Sequence, residues 1–159
     1  MPKTRVSKEV LLDGAQMFIV ATIAGVAGFF KERNIPVKEL FAYIGDRFEG
    51  SLGDLEGRGA DEVMEHLLTL EVLPMGVEVV SSQMTADRAE VTLTTLPPQT
   101  VLEKFGTTPD ELLEGFDITS KEFESVYAMF EPAATAIGMK FRHSLKDGRE
   151  VISLEKASK

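Results

Sequence analysis

The chain has 159 residues, the size of one domain around one hydrophobic core, and its 43% apolar and 27% charged residues exclude a disordered or fibrous protein. With 17 Lys and Arg against 26 Asp and Glu the net charge is −9, so nucleic acid is not an expected partner, because an acidic domain gains nothing from counterion release on phosphates. There is no cysteine, which removes disulfides, thiolate nucleophiles, zinc ribbons and iron–sulfur clusters together.

Ser7, with Glu9 just behind it, marks the start of a first helix. Its apolar periodicity runs to Lys31 and Arg33, basic residues that suit a helix C-terminus, with Asn34 as the stop. Such a helix has about 26 residues and spans roughly 39 Å. The stretch Met17–Phe30 is apolar nearly all round, so more than one neighbour must cover it. It falls short of the roughly 20 apolar residues of a membrane span. Glu9 and Asp13 separate it from Lys3, Arg5 and Lys8, unlike the basic region of a secretory leader. The expectation is a cytoplasmic protein with no membrane span. Ala21 with Gly25, and Ala24 with Gly28, repeat at i,i+4 and allow close helix approach, so these four residues are the expected interface of a homodimer.

Pro36 opens a second helix with the stripe Val37, Leu40, Phe41, Ile44 and Phe48, ending at Gly50. Residues 49–59 carry four glycines and few apolar side chains, the pattern of a mobile loop, with no Lys-Ser/Thr pair to make it a phosphate cradle. A third helix is expected over about 60–72, facing Val63, Leu67 and Leu70 inward and ended by Pro74 and Gly76. Alternation then shifts to period two. Val77 and Val79, a turn at Thr85–Arg88, then Val91 and Leu93 predict an antiparallel hairpin with one wet face. Pro97 and Pro98 stop it and begin a short helix through Phe105. Thr108, Pro109, Asp110 and Glu111 cap another, running to Gly115. Thr119 and Glu122 form a capping box ahead of Phe123, Val126, Tyr127, Phe130, Ala134 and Ile137, one long helix kinked at Pro132 and ended by Gly138. Met139, Phe141, His143 and Leu145 alternate with polar residues, and Asp147-Gly148 turns the chain into Val151, Ile152 and Leu154. The order predicts a single α+β domain over 1–159: a helical half, 1–75, then a half, 76–159, whose two hairpins form a small antiparallel sheet with helices packed on one face.

The half from Val77 to Leu154 resembles, in element order and local wording, the vinyl-reductase or hydrocarbon-binding domain superfamily, and within it the branch named for L-2-amino-thiazoline-4-carboxylic acid hydrolase. The matching stretches are Thr95, Leu96, Pro97 and Pro98 after the first hairpin, Phe116, Asp117 and Ile118 before the last long helix, and Asp147–Ile152 at the last turn. The prolines and the turn glycine are kept, whereas the three cysteines of that branch are absent. The resemblance implies a small sheet with helices on one side, dimerisation through the N-terminal helices and a mostly apolar ligand pocket. It carries over no cysteine chemistry.

For the site, the apolar stripe of the last helix and the inner face of its partner strand must meet, and the hydrogen-bonding side chains on them are Tyr127 and His143. A ligand pocket is expected there, walled by Phe123, Phe130 and Phe141. The same aromatics at helical spacing also suit a plain filled core. Asp61, Glu62, Glu65 and His66 cluster on the third helix, but one such neighbourhood does not make a dinuclear site, and a solvated acidic face is the expectation. No metal, cofactor or catalytic residue is assigned, and no G-x-S-x-G motif occurs. The functional expectation is a dimeric, non-enzymatic module that binds or senses a small apolar or amphipathic ligand. The alternatives are a hydrolase-like enzyme on a small heterocycle or amide, using His143 and Tyr127, or a protein-interaction scaffold.

Overall fold

The computed structural model of the chain describes residues 7–157; Lys3 and Arg5, weighed above as part of a leader, lie outside the described residues. The first helix, α1 (Lys8–Lys31), begins where Ser7 Oγ accepts from the Val10 amide at 3.2 Å. It ends before Asn34, which takes the left-handed conformation at φ 59°. Lys31 then clamps this end to the far half of the chain, donating to the Asp117 carbonyl and to Glu122 Oε2 at 3.1 Å. The second helix, α2 (Val37–Arg47), buries Val37, Leu40 and Phe41. Phe48 leaves the expected stripe and lies exposed, because the helix stops one residue before it.

Two stretches differ from expectation in an instructive way. The glycine-rich segment is not a loop throughout: Glu49–Leu55 winds into a 3₁₀ helix that buries Leu52. The third helix, α3 (Ala60–Leu67), widens into a π turn over Leu68–Val72 and tightens to a 3₁₀ turn over Leu73–Met75, ended by Gly76 at φ 87°. Widening rotates the face, so Met64, Leu68 and Val72 are buried and Leu70, expected inside, is exposed.

A four-stranded antiparallel sheet follows, in the order β1-β2-β4-β3, from β1 (Val79–Met84), β2 (Arg88–Leu93), β3 (Met139–Lys146) and β4 (Arg149–Lys156). Three cross-strand rows face the helices: Ala89, Leu154, Phe141; Val91, Ile152, His143; and Leu93, Glu150, Leu145. The opposite face carries Glu90, Thr92, Arg142, Ser144 and Ser153 and meets water, as antiparallel sheets allow. β1 lies at the edge and is exposed along its length; Val77, just before it, is buried, whereas Val79 is not.

Between the hairpins run α4 (Gln99–Lys104), α5 (Pro109–Gly115), α6 (Ser120–Phe123) and α7 (Phe130–Ala136). The long helix expected over Phe123–Ile137 is instead α6, a 3₁₀ stretch over Glu124–Met129, and α7. Pro132 has no N–H to give the Ala128 carbonyl, so a continuous α-helix fails there. The chain restarts at Phe130 with the proline inside its first turn, where no donor is required. The buried stripe survives the change, since Phe123, Val126, Tyr127, Phe130 and Ala134 all lie inside. One contiguous core joins residues from α1, α2 and α3 to those of the sheet and α7.

The small residues of α1 serve this core. Ala24 and Gly28 are buried within the chain, and Ala21 and Gly25 are half-buried. A Cβ on Gly28 would stand 2.5 Å from the Phe116 carbonyl oxygen, and one on Gly25 would stand 3.3 Å from the Phe116 ring. The expected dimer interface at Ala21, Ala24, Gly25 and Gly28 is therefore corrected: the chain's own segment around Phe116 occupies that groove. Gly28→Ala should lower stability by about 1–3 kcal/mol through overpacking. Gly14→Ala, which meets nothing within 4 Å, should raise it by about 0.4–1 kcal/mol. Thermal or denaturant unfolding checks both signs.

Candidate functional site

The Asp147-Gly148 turn sets what lies beside it. Both residues have positive φ, 51° and 70°, the geometry of a two-residue hairpin that matches strand twist, and it pairs Lys146 with Arg149. From that register, Glu150, Ile152 and Leu154 turn inward on β4, while Val151 turns the other way. Glu150 is thus a carboxylate inside the core, 1% exposed.

Such a group is tolerated only with hydrogen-bond donors around it. His143, diagonal to Glu150 across the β3–β4 ladder, brings Nε2 to 2.5 Å from Glu150 Oε2. The Leu96 amide, on the turn after β2, donates to Oε1 at 3.5 Å. Tyr127 stacks on the His143 ring, with centroids 4.4 Å apart and planes 20° from parallel. Its hydroxyl is buried and has no hydrogen-bond partner among the described residues; burial, with the Glu150 carboxylate adding to it, pushes the phenol far above its ordinary range. Glu124, on the turn after α6, is half-buried, and its carboxyl is held above the usual range by burial and by Glu150, against the opposing pull of His143 and Lys121.

Tyr127 and His143 are therefore neighbours, as the two apolar stripes required. The space between those stripes is filled: Phe130 packs edge-on to Phe141 at 5.8 Å, and Phe123 is fully buried. The pocket expected inside this wall is corrected to two hollows at its borders. One, of about 100 Å³, lies behind Phe130 among Ile44, Leu52, Leu67 and Met129, with His66 and Glu71 at its rim. It is the smaller of the two and is lined mainly by apolar side chains. The other is an open cleft of about 440 Å³, within the roughly 300–1,000 Å³ of small-molecule sites. Its walls are Leu96 and Pro97 after β2, Thr108, Pro109 and Asp110 at the start of α5, Ser120 and Glu124 near α6, and Leu145 and Glu150 of the last hairpin.

The capping boxes the sequence showed are what hold this rim. Thr108 Oγ1 accepts from the Glu111 amide and Glu111 returns a bond to the Thr108 amide; Thr119 and Glu122 repeat the exchange. On α3, Glu62 pairs with Arg58 at 3.2 Å and Asp61 accepts from the Glu62 amide. Among the described residues no three His, Asp or Glu side chains converge as a metal site would need. No protein-family model matches the chain, and no curated protein is significantly similar to it.

Glu150 is the site residue the sequence reading missed. A charged residue two places from Ile152 and four from Leu154 falls on the inward phase of the strand, and period two counted back from those residues finds it. Two outcomes follow. His143→Phe leaves a buried carboxylate without its main donor and should cost about 3 kcal/mol or more, whereas His143→Phe combined with Glu150→Leu should recover most of the loss in a double-mutant cycle. Glu124 binds its proton more tightly in the folded chain than its ordinary 4.5, so its ionisation takes stability away as pH rises above that value. Glu124→Gln should therefore stabilise the protein at neutral pH and converge with the parent below pH 4.5, read from unfolding curves across pH.

Proposed function

We propose that the chain is a small-ligand-binding module whose ligand enters the cleft beside Glu150. The observation that carries this reading is a nearly fully buried carboxylate, backed by an imidazole, standing in the wall of a cleft of ligand size. The other ionisable groups of that wall, Asp110 and Glu124, are acids as well. The complementary ligand is amphipathic: a cationic or hydrogen-bond-donating head meets Glu150 and Glu124, and an apolar body lies on Leu96, Pro97, Pro109 and Leu145. The resemblance to hydrocarbon-binding domains agrees with the apolar part of this description.

A hydrolase has one observation in its favour, the His143–Glu150 hydrogen bond, since an oriented imidazole is half of a general-base apparatus. No described hydroxyl hydrogen-bonds that imidazole, so a bound ligand is the better supported use of the pair. Isothermal titration with hexylamine and with hexanoate at equal concentration separates the possibilities. Hexylamine should bind and hexanoate should not. Glu150→Gln, checked by circular dichroism, should weaken the amine at least tenfold. Equal binding of both probes, or an unchanged affinity in Glu150→Gln, would remove the acidic cleft as the site.

A further inference from the structure

Three carboxyls and no lysine, arginine or histidine line the cleft beside Glu150: Asp110 at the start of α5, Glu124 after α6, and Glu150 itself. Among the described residues neither Asp110 nor Glu124 is ion-paired, and Glu150 meets only His143. Glu150 is also incompletely met. Its Oε2 lies against His143, but the one donor to Oε1 among the described residues is the Leu96 amide at 3.5 Å, the long limit of a hydrogen bond. A carboxylate accepts about four hydrogen bonds, so this one, 1% exposed in the cleft wall, still has an acceptor for a donor arriving from the cleft.

The three acids fall into two poles. The Glu150 charge holds Glu124 above its ordinary range, so these two carboxyls act on one another. Asp110 takes no part in that shift. It stands on a separate element, in the first turn of α5, which Pro109 and the exchange between Thr108 and Glu111 fix in place. Leu96, Pro97, Pro109 and Leu145 give the same cleft its apolar wall.

We infer, on the reading of this cleft as a site for a cationic head, that its ligand carries a second cation: it is an aliphatic diamine, with one ammonium at Glu150 and Glu124, the other at Asp110, and the methylene chain along the apolar wall. A monoamine leaves one pole uncompensated, and its tail would take water from the Asp110 carboxylate without offering a donor in return. A second ammonium supplies that donor in a charge-assisted hydrogen bond. A zwitterionic amino acid is a poorer occupant, because its own carboxylate would face acids at either pole. A divalent metal ion is poorer too, since hard cations take several oxygens at about 2.0–2.6 Å and no three acidic or imidazole groups converge among the described residues.

The test is isothermal titration with diamines from trimethylenediamine to octamethylenediamine, each set against the monoamine of equal carbon count. Salt of about 0.15 M screens the general pull of a chain of net charge −9 on a dication beyond roughly 8 Å. At least one diamine should bind tenfold or more tightly than its monoamine, although an ammonium in place of a methyl would weaken entry into a purely apolar site. Asp110 is exposed, so Asp110→Asn keeps the packing, and it should bring that ratio to within about twofold of unity. Asp46→Asn, which removes the same charge from an exposed position on α2, should leave the ratio standing. Circular dichroism checks both folds. Monoamine binding with no preference for any diamine overturns the second pole and leaves the cationic-head reading in place. A preference that survives Asp110→Asn overturns Asp110 as its anchor. Binding of neither kind of amine removes the cationic-head reading itself, and the diamine with it.

Discussion

A carboxylate taken out of water has to be met by donors, and in this chain the two donors to Glu150 come from separate segments. His143 belongs to the adjacent strand and the Leu96 amide to the turn that leaves the first hairpin. Satisfying one oxygen pair therefore fixes the register of β3 on β4 and brings the end of β2 over the same end of the sheet. Tyr127 then lies flat on the imidazole, so the ring that orients the carboxylate is itself held from the helical side. A one-residue slip of β4 would turn Glu150 to solvent and Arg149 or Val151 inward, losing every one of these contacts at once. The polar end of the core thus acts as a register lock, and the same group that locks the strands forms the wall of the cleft.

Much of this arrangement was legible in the chain. Turn and cap chemistry is local, so Asp147-Gly148, Thr108 with Glu111, Thr119 with Glu122, and the stop at Asn34 all appear where their residues stand. Alternation placed Met139, Phe141 and His143 on one face, and the fold class followed from the order of elements. What stayed hidden depends on contacts distant in sequence. The 3₁₀ winding of Glu49–Leu55 depends on Leu52 finding core to bury in, and the π turn at Leu68–Val72 shifts the helix phase without any special residue. Glu150 was overlooked because a glutamate in an alternating strand ordinarily marks the wet face; its partner seven residues earlier is what reverses that rule.

The first helix shows how the same pattern can serve two readings. Alanine and glycine at i,i+4 spacing admit a close neighbour, and periodicity does not say whether the neighbour is another chain or the same one. Here Phe116 is that neighbour: its carbonyl lies over Gly28 and its ring against Gly25. The groove is closed from within, which leaves the larger apolar residues of α1 on the outside.

The sheet's two borders bear on how such a protein survives crowding. β1, one border, is interrupted by a bulge between Val79 and Ser81, so its free backbone groups do not form an even row. β3, the other, presents Lys140, Arg142 and Lys146 along its length, and docking a further strand would place charges beside the new ladder. Neither border offers a regular template for strand addition. The exposed valines of β1 thus do not make the sheet a seed for fibrous growth, and a concentrated solution of the chain has its route to cross-β assembly obstructed at both ends.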